Sequence, residues 1–216
     1  MTIQKTINQT IEFVKKEFKN AESGHDWWHI YRVWKMSKNL AEYYPDTDHL
    51  VIELAALLHD VADEKFENAI EKLGELEAYI TNLPITETQK EHIIHIIKGL
   101  SFRKSFEHQP ERTIEFQIVQ DADRLDAIGA IGIARAFSFG GFKGREMYNP
   151  DIKPNSFKNS NEYQKSTSPT INHFYEKLFL LKDMMNTEIA KQMAEVRHRF
   201  MEKYLHQFYD EWEGKK

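Results

Sequence analysis

Apolar residues recur along almost the whole chain at intervals of three and four, the period of an amphipathic α-helix. Ile3, Ile7, Ile11, Val14 and Phe18 form one such stripe on an N-terminal helix. The pattern predicts a second helix from about Asp26 to Tyr44, stopped by Pro45, and a third capped by Asp48 and ending near Ala62. A fourth covers roughly Phe66 to Ile80. Thr86 with Gln89 three residues on has the form of a capping box, opening a fifth helix that ends near Leu100. After Pro110 and Thr113 one long helical pattern runs to about Phe139, rich in residues such as Ala127, Gly129, Ala130 and Gly132 that permit close helix approach. The stretch from Phe139 to Ser168 is polar and rich in Gly, Asn, Pro and Lys, and reads as a long loop. Ser168 and Pro169 have the character of an N-cap and first helical residue. Helical pattern then continues almost to Trp212, with a break expected near Asn186. There are no repeats and no convincing strand pairs. The expected fold is all-α: one domain, with a core at about 20–130, a flexible loop at about 140–168 and C-terminal helices at about 169–212.

Three polar islands interrupt these apolar faces: HDWWH (His25 to His29), the pair His59–Asp60, and DADRLD (Asp121 to Asp126). The pair His59–Asp60 is the sharpest case, because it ends the almost wholly apolar run from Leu50 to Leu58. Unpartnered imidazoles and carboxylates are costly to bury. A single His near a helix start is ordinarily a cap or a satisfied core residue. Three islands on separate helices instead point to one shared divalent cation, whose bonds to two imidazoles and two carboxylates replace their lost hydration.

Composition narrows the choice of site. The 216 residues include no cysteine, which excludes disulfides, thiolate zinc sites and cysteine nucleophiles, while 10 histidines are present. With 34 acidic and 29 basic residues the formal charge is -5, which disfavours extended nucleic acid as a partner. The amphipathic, charged N-terminal segment lacks the apolar core of a secretory signal, and no uncharged apolar run is long enough to span a membrane. The expected location is the cytoplasm. HDWWH has histidines four apart, as on a zincin helix, but Asp26 stands where that motif has its Glu; P-loop, EF-hand and GxSxG patterns are absent.

The ordered set of islands resembles the HD-domain metal-dependent phosphohydrolases, whose pattern is H…HD…D spread over separate helices of an all-α bundle. The resemblance maps onto His29 in HDWWHIYRV, His59 and Asp60 in LLHDVAD, and an aspartate of VQDADRLDAIG. Asp121, Asp123 and Asp126 all compete for the last place; the A-D-R-L context of related HD hydrolases selects Asp123. The segment from Asn172 to Phe208 is also similar to the C-terminal part of small stand-alone bacterial HD hydrolases that resemble nucleotide pyrophosphohydrolases. The resemblance thus implies one divalent ion (Mn, Fe, Co, Ni, Zn or Mg) on His29, His59, Asp60 and Asp123, and a nucleotide substrate. Nucleoside triphosphate cleavage to monophosphate and pyrophosphate is the leading expectation. A nucleotidase or phosphodiesterase, or a non-catalytic nucleotide- or metal-binding module, is the alternative.

Other residues join the candidate site by position. Asp63 and Glu64 lie about one turn past His59, and the resemblance gives such an acidic pair a part in the chemistry. His95 is a candidate phosphate contact or proton donor, whereas its neighbour His92 reads as a helix-surface residue. His25 and Asp26 stand one turn or less before His29 and are candidate substrate contacts. Lys143 and Arg145 lie in a glycine-rich stretch, and His173 and Lys177 are one turn apart; these four could hold the outer phosphates. Arg124, beside Asp123, reads as a structural partner.

Overall fold

The computed structural model describes residues 2–19, 26–62, 69–100, 112–156 and 166–215. Among these residues every regular element is helical, in keeping with the all-α pattern. The chain divides into two compact units, Met1–Ala122 and Asp123–Lys216. The first holds α1 (Ile3–Glu17), α2 (Trp27–Ala41), α3 (His49–Leu58), α4 (Ala69–Thr81), α5 (Glu87–Gly99) and most of α6 (Ile114–Asp126). The second begins with the end of α6 and continues through α7 (Gly129–Phe142), α8 (Asn172–Glu176), a 3-10 segment (Leu178–Met184) and α9 (Glu188–Trp212).

Helix α3 is the hub of the first unit. Its residues Leu54 to Leu58 have 0% exposure, and α1, α2 and α5 pack around it. A helix this rich in apolar residues is stable only when enclosed in this way. Its start is held by Asp48, whose side chain accepts from the backbone N–H groups of Leu50 and Val51 at 3.1 Å. Gln89, completing the expected capping box with Thr86, also donates to Asp48 at 2.7 Å, and the Asp48 N–H donates to Glu115 at 3.1 Å. The first turns of α3, α5 and α6 are thereby tied together.

Three boundaries differ from the sequence pattern. Helix α3 stops at Leu58 rather than near Ala62, so His59 and Asp60 occupy the turn that follows it. The long pattern from Thr113 to Phe139 is two helices, because α6 tightens at its end through Ala127 N–H to Arg124 O and Ile128 N–H to Leu125 O, both i to i+3 bonds. Gly129 then takes φ 77°, a left-handed conformation open to glycine at little cost. Finally, Ser168 and Pro169 do not open a helix directly. Asn172 N–H to Pro169 O and His173 N–H to Thr170 O form a preceding turn, and the buried Ser168 hydroxyl instead meets Asn155 and Ser166. The expected break near Asn186 is present, with Thr187 capping α9.

The stretch expected to be a flexible loop is held at several points among its described residues. Thr170 and Ile171 N–H donate to the Glu146 and Met147 carbonyls, and Arg145 donates to Ser166 O at 2.8 Å. The buried carboxylate of Glu176 accepts from the Asn155 N–H at 3.0 Å. Among the described residues no single helix is long and apolar enough to cross a membrane.

Candidate metal centre

The termination of α3 and the placing of His59 are one event. The last carbonyls of a helix lack intrahelical donors. His59 Nδ1 lies 2.9 Å from the Ala56 carbonyl oxygen, so this nitrogen carries the proton and donates to that carbonyl. In the neutral ring the other nitrogen, Nε2, then presents only a lone pair. It points toward His29 Nε2, 3.3 Å away, and toward an Asp60 carboxylate oxygen at 3.6 Å.

His29 arrives from the first turn of α2, whose N-cap is Asp26. The Asp26 side chain accepts from the His29 N–H at 3.0 Å and so fixes the backbone beneath the imidazole. His29 Nε2 is 3.4 Å from the other Asp60 oxygen. His29, His59 and Asp60 are all buried, with exposures of 2%, 8% and 8%. Asp123 sits on the last turn of α6; His29, His59 and Asp123 each offer one ligand atom, and these atoms lie within 4.8 Å of one another.

These residues fit a divalent ion. Ligand atoms about 2.1 Å from a shared ion stand roughly 3.0–3.4 Å apart, which matches the 3.3 Å between the two imidazole nitrogens. Lone-pair nitrogens and carboxylate oxygens so close together in a buried place repel unless a cation lies among them.

The other candidate residues fall into distinct places. Asp121 and Asp126 are buried; Asp126 pairs with Arg135 rather than joining the histidines. Arg124 donates to the Met184 carbonyl, a structural bond. His95 is half-buried against the Phe116 ring, at 6.1 Å between centroids. His92 bonds the Thr113 hydroxyl at 2.8 Å and lies 3.9 Å from Glu115, a role in the start of α6. His25, Asp63 and Glu64 lie outside the described residues.

In the second unit Arg145, His173 and Lys177 form an electrostatic group. Burial, then the charges of Lys177 and Arg145, push the His173 imidazole down to about 3, so it is neutral at physiological pH. The sequence grouped it with the cations; here it is an uncharged donor and acceptor beside two cations. Lys143 is exposed over the rings of Phe142 and Phe139, at 4.9 and 5.6 Å. Spacing alone gave no sign of Arg135 and Arg197, yet both converge on the end of α6: Arg197 donates to the Leu125 carbonyl and Arg135 pairs with Asp126.

The HD domain family matches residues 27–128 of the chain. The chain is 37% identical over 206 residues, 94% of its own length and 92% of the relative's, to the uncharacterized protein YpgQ of Bacillus subtilis strain 168. A crystal structure of an HD-superfamily hydrolase from Bacillus thuringiensis is similar at 46% identity and TM-score 0.76, covering 98% of this chain and 99% of that one. The crystal structure of Bacillus subtilis YpgQ in complex with ADP is similar at 36% identity and TM-score 0.77, covering 98% and 97%.

Proposed function

From the premise that this chain belongs to the HD-domain family of metal-dependent phosphohydrolases, we propose that it cleaves nucleoside triphosphates to monophosphate and pyrophosphate, with His29, His59, Asp60 and Asp123 holding one divalent ion. The observation that carries this reading is the orientation of His59, whose Nδ1–H is committed to Ala56 and whose Nε2 faces His29 and Asp60. When bound, such an ion supplies Lewis acidity toward a phosphoryl oxygen and a water.

The chain's own residues do the rest in this reading. His29 and His59 bind through neutral Nε2 atoms, held by the Asp26 cap and the Ala56 carbonyl. Asp63 or Glu64, four and five residues after His59, accepts the proton of the attacking water. His95 is the candidate donor to the departing group. Arg145 and Lys177 offset the charge of the outer phosphates, and neutral His173 gives a hydrogen bond without adding charge. Cations on the leaving pyrophosphate matter most where charge accumulates, in the transition state. The ADP complex of the related YpgQ supports a nucleotide as the ligand class.

Phosphorus NMR of the initial products tests the reaction. Nucleoside and deoxynucleoside triphosphates, presented with several divalent metals, should give monophosphate and pyrophosphate, with monophosphates turned over poorly. Inorganic phosphate as the sole first product, or a preference for monophosphates, refutes it. Lys177→Ala should raise KM for triphosphates by about 10-fold or more, the loss of one charged contact, while metal affinity stays unchanged.

A further inference from the structure

The carboxylate of Asp123 stands on the last turn of α6, where a helix ordinarily frays because its final carbonyls have no intrahelical donors. Here that turn is held by side chains from elsewhere in the second unit. Arg197, in the middle of α9, donates through Nη1 to the Leu125 carbonyl, 72 residues away in sequence. Arg135, on α7, pairs with the buried Asp126 carboxylate. Arg124 reaches from the turn itself to the Met184 carbonyl. A cation at a helix C-terminus also meets the negative end of the backbone dipole.

The space that Arg197 uses is provided by a single residue. A Cβ on Gly129 would lie 3.0 Å from Arg197 Cγ, 3.1 Å from its Cβ and 3.3 Å from its Cδ. Gly129 thus serves two needs: the left-handed turn after α6, and room for the arginine stem that crosses it. Arg197 is half-buried, and Asp126 opposes the effect of that burial by favouring the charged guanidinium.

We propose that Arg197 is a positioning residue for the metal centre: by clamping the Leu125 carbonyl it fixes the terminal turn of α6 and hence the Asp123 carboxylate. The inference rests on Asp123 being a ligand. Outer residues bonded to a ligand typically contribute about 10- to 100-fold in metal affinity. Arg197 acts one contact further out, through the Leu125 carbonyl, so its effect belongs at the lower end of that range.

The test is direct titration of the full-length, metal-stripped protein with Mn2+ by calorimetry, alongside thermal unfolding of the metal-free form. Arg197→Met should weaken Mn2+ binding by about 10-fold. Glu176→Gln, which loosens the Asn155 contact in the same unit, should lower the melting temperature but leave Mn2+ affinity unchanged. Gly129→Ala keeps the arginine and its charge but obstructs its stem and strains the left-handed turn, and should also weaken Mn2+ binding; if Arg197→Met does not fold, unchanged affinity in this variant still refutes the clamp. Unchanged Mn2+ affinity in Arg197→Met, or in Gly129→Ala where Arg197→Met does not fold, overturns the proposal, whatever happens to stability. Asp123→Asn in the same titration separates the two levels. If it leaves Mn2+ binding intact, the ligand assignment fails; if it removes binding while Arg197→Met and Gly129→Ala do not, the clamp alone fails.

Discussion

His59 uses both ring nitrogens, one to close a helix and one to face the centre, and the two tasks are separable by substitution. Asparagine can offer an amide N–H near the position of Nδ1 but nothing at Nε2. His59→Asn should therefore keep the stability of the metal-free protein to within about 1 kcal/mol, the net worth of one hydrogen bond. Its metal affinity should fall by about 100-fold or more, beyond the range typical of outer-shell losses. Retained binding in calorimetry would remove His59 from the ligand set. His173 makes a prediction in pH instead. Its folded value of about 3 lies below the ordinary 6.5, so the unfolded chain binds the proton first as pH falls. The contribution is absent above 6.5, grows as destabilisation between 6.5 and about 3, and is then constant. At pH 5 it reaches about 2 kcal/mol. His173→Gln should lose less stability than the wild type between pH 7 and pH 5 in urea titrations. Parallel curves would mean that the imidazole is not held neutral.

At the level of elements, helix ends carry much of the order. Asp48 caps α3 through two backbone N–H groups and also receives Gln89. Asp48→Ala should cost about 1–2 kcal/mol in urea unfolding, and a loss below about 0.3 kcal/mol would deny the cap its role. Such starts were legible in the sequence because caps are local: Asp48, Thr86 and Gln89 act within one turn. The pair His59–Asp60 was legible for the opposite reason, since polar residues at the end of an almost wholly apolar run need a partner. Helix ends set by distant residues were not legible. The apolar period runs through Ala127 and Ile128 without a proline, and the division of α6 from α7 rests on i to i+3 bonds and on Gly129, with an arginine far along the chain donating to the Leu125 carbonyl. Likewise the capping bond that Asp26 accepts from the His29 N–H was not read from its neighbours.

For the whole molecule, the centre links metal to stability. The ligands gather only in the folded chain, so an ion that binds there and not to the unfolded chain stabilises by about 2.7 kcal/mol at 100 times its Kd. For a chain of this size that corresponds to a rise of about 5–10 °C in melting temperature. Stripping with a chelator should reverse the shift, and re-addition should restore it. A melting temperature indifferent to Mn2+, Co2+ and Zn2+ alike would contradict a buried centre built on His29 and His59.

The reach of Arg197 also has a meaning in time. Translation proceeds from the N-terminus at about 5–20 residues per second, so the 72 positions between Leu125 and Arg197 separate them by roughly 4–14 s of synthesis. The four residues proposed to hold the ion leave the ribosome before the arginine proposed to steady the last of them. A nascent chain therefore carries the proposed ligands well ahead of the proposed clamp, and full metal affinity is expected once α9 has been made.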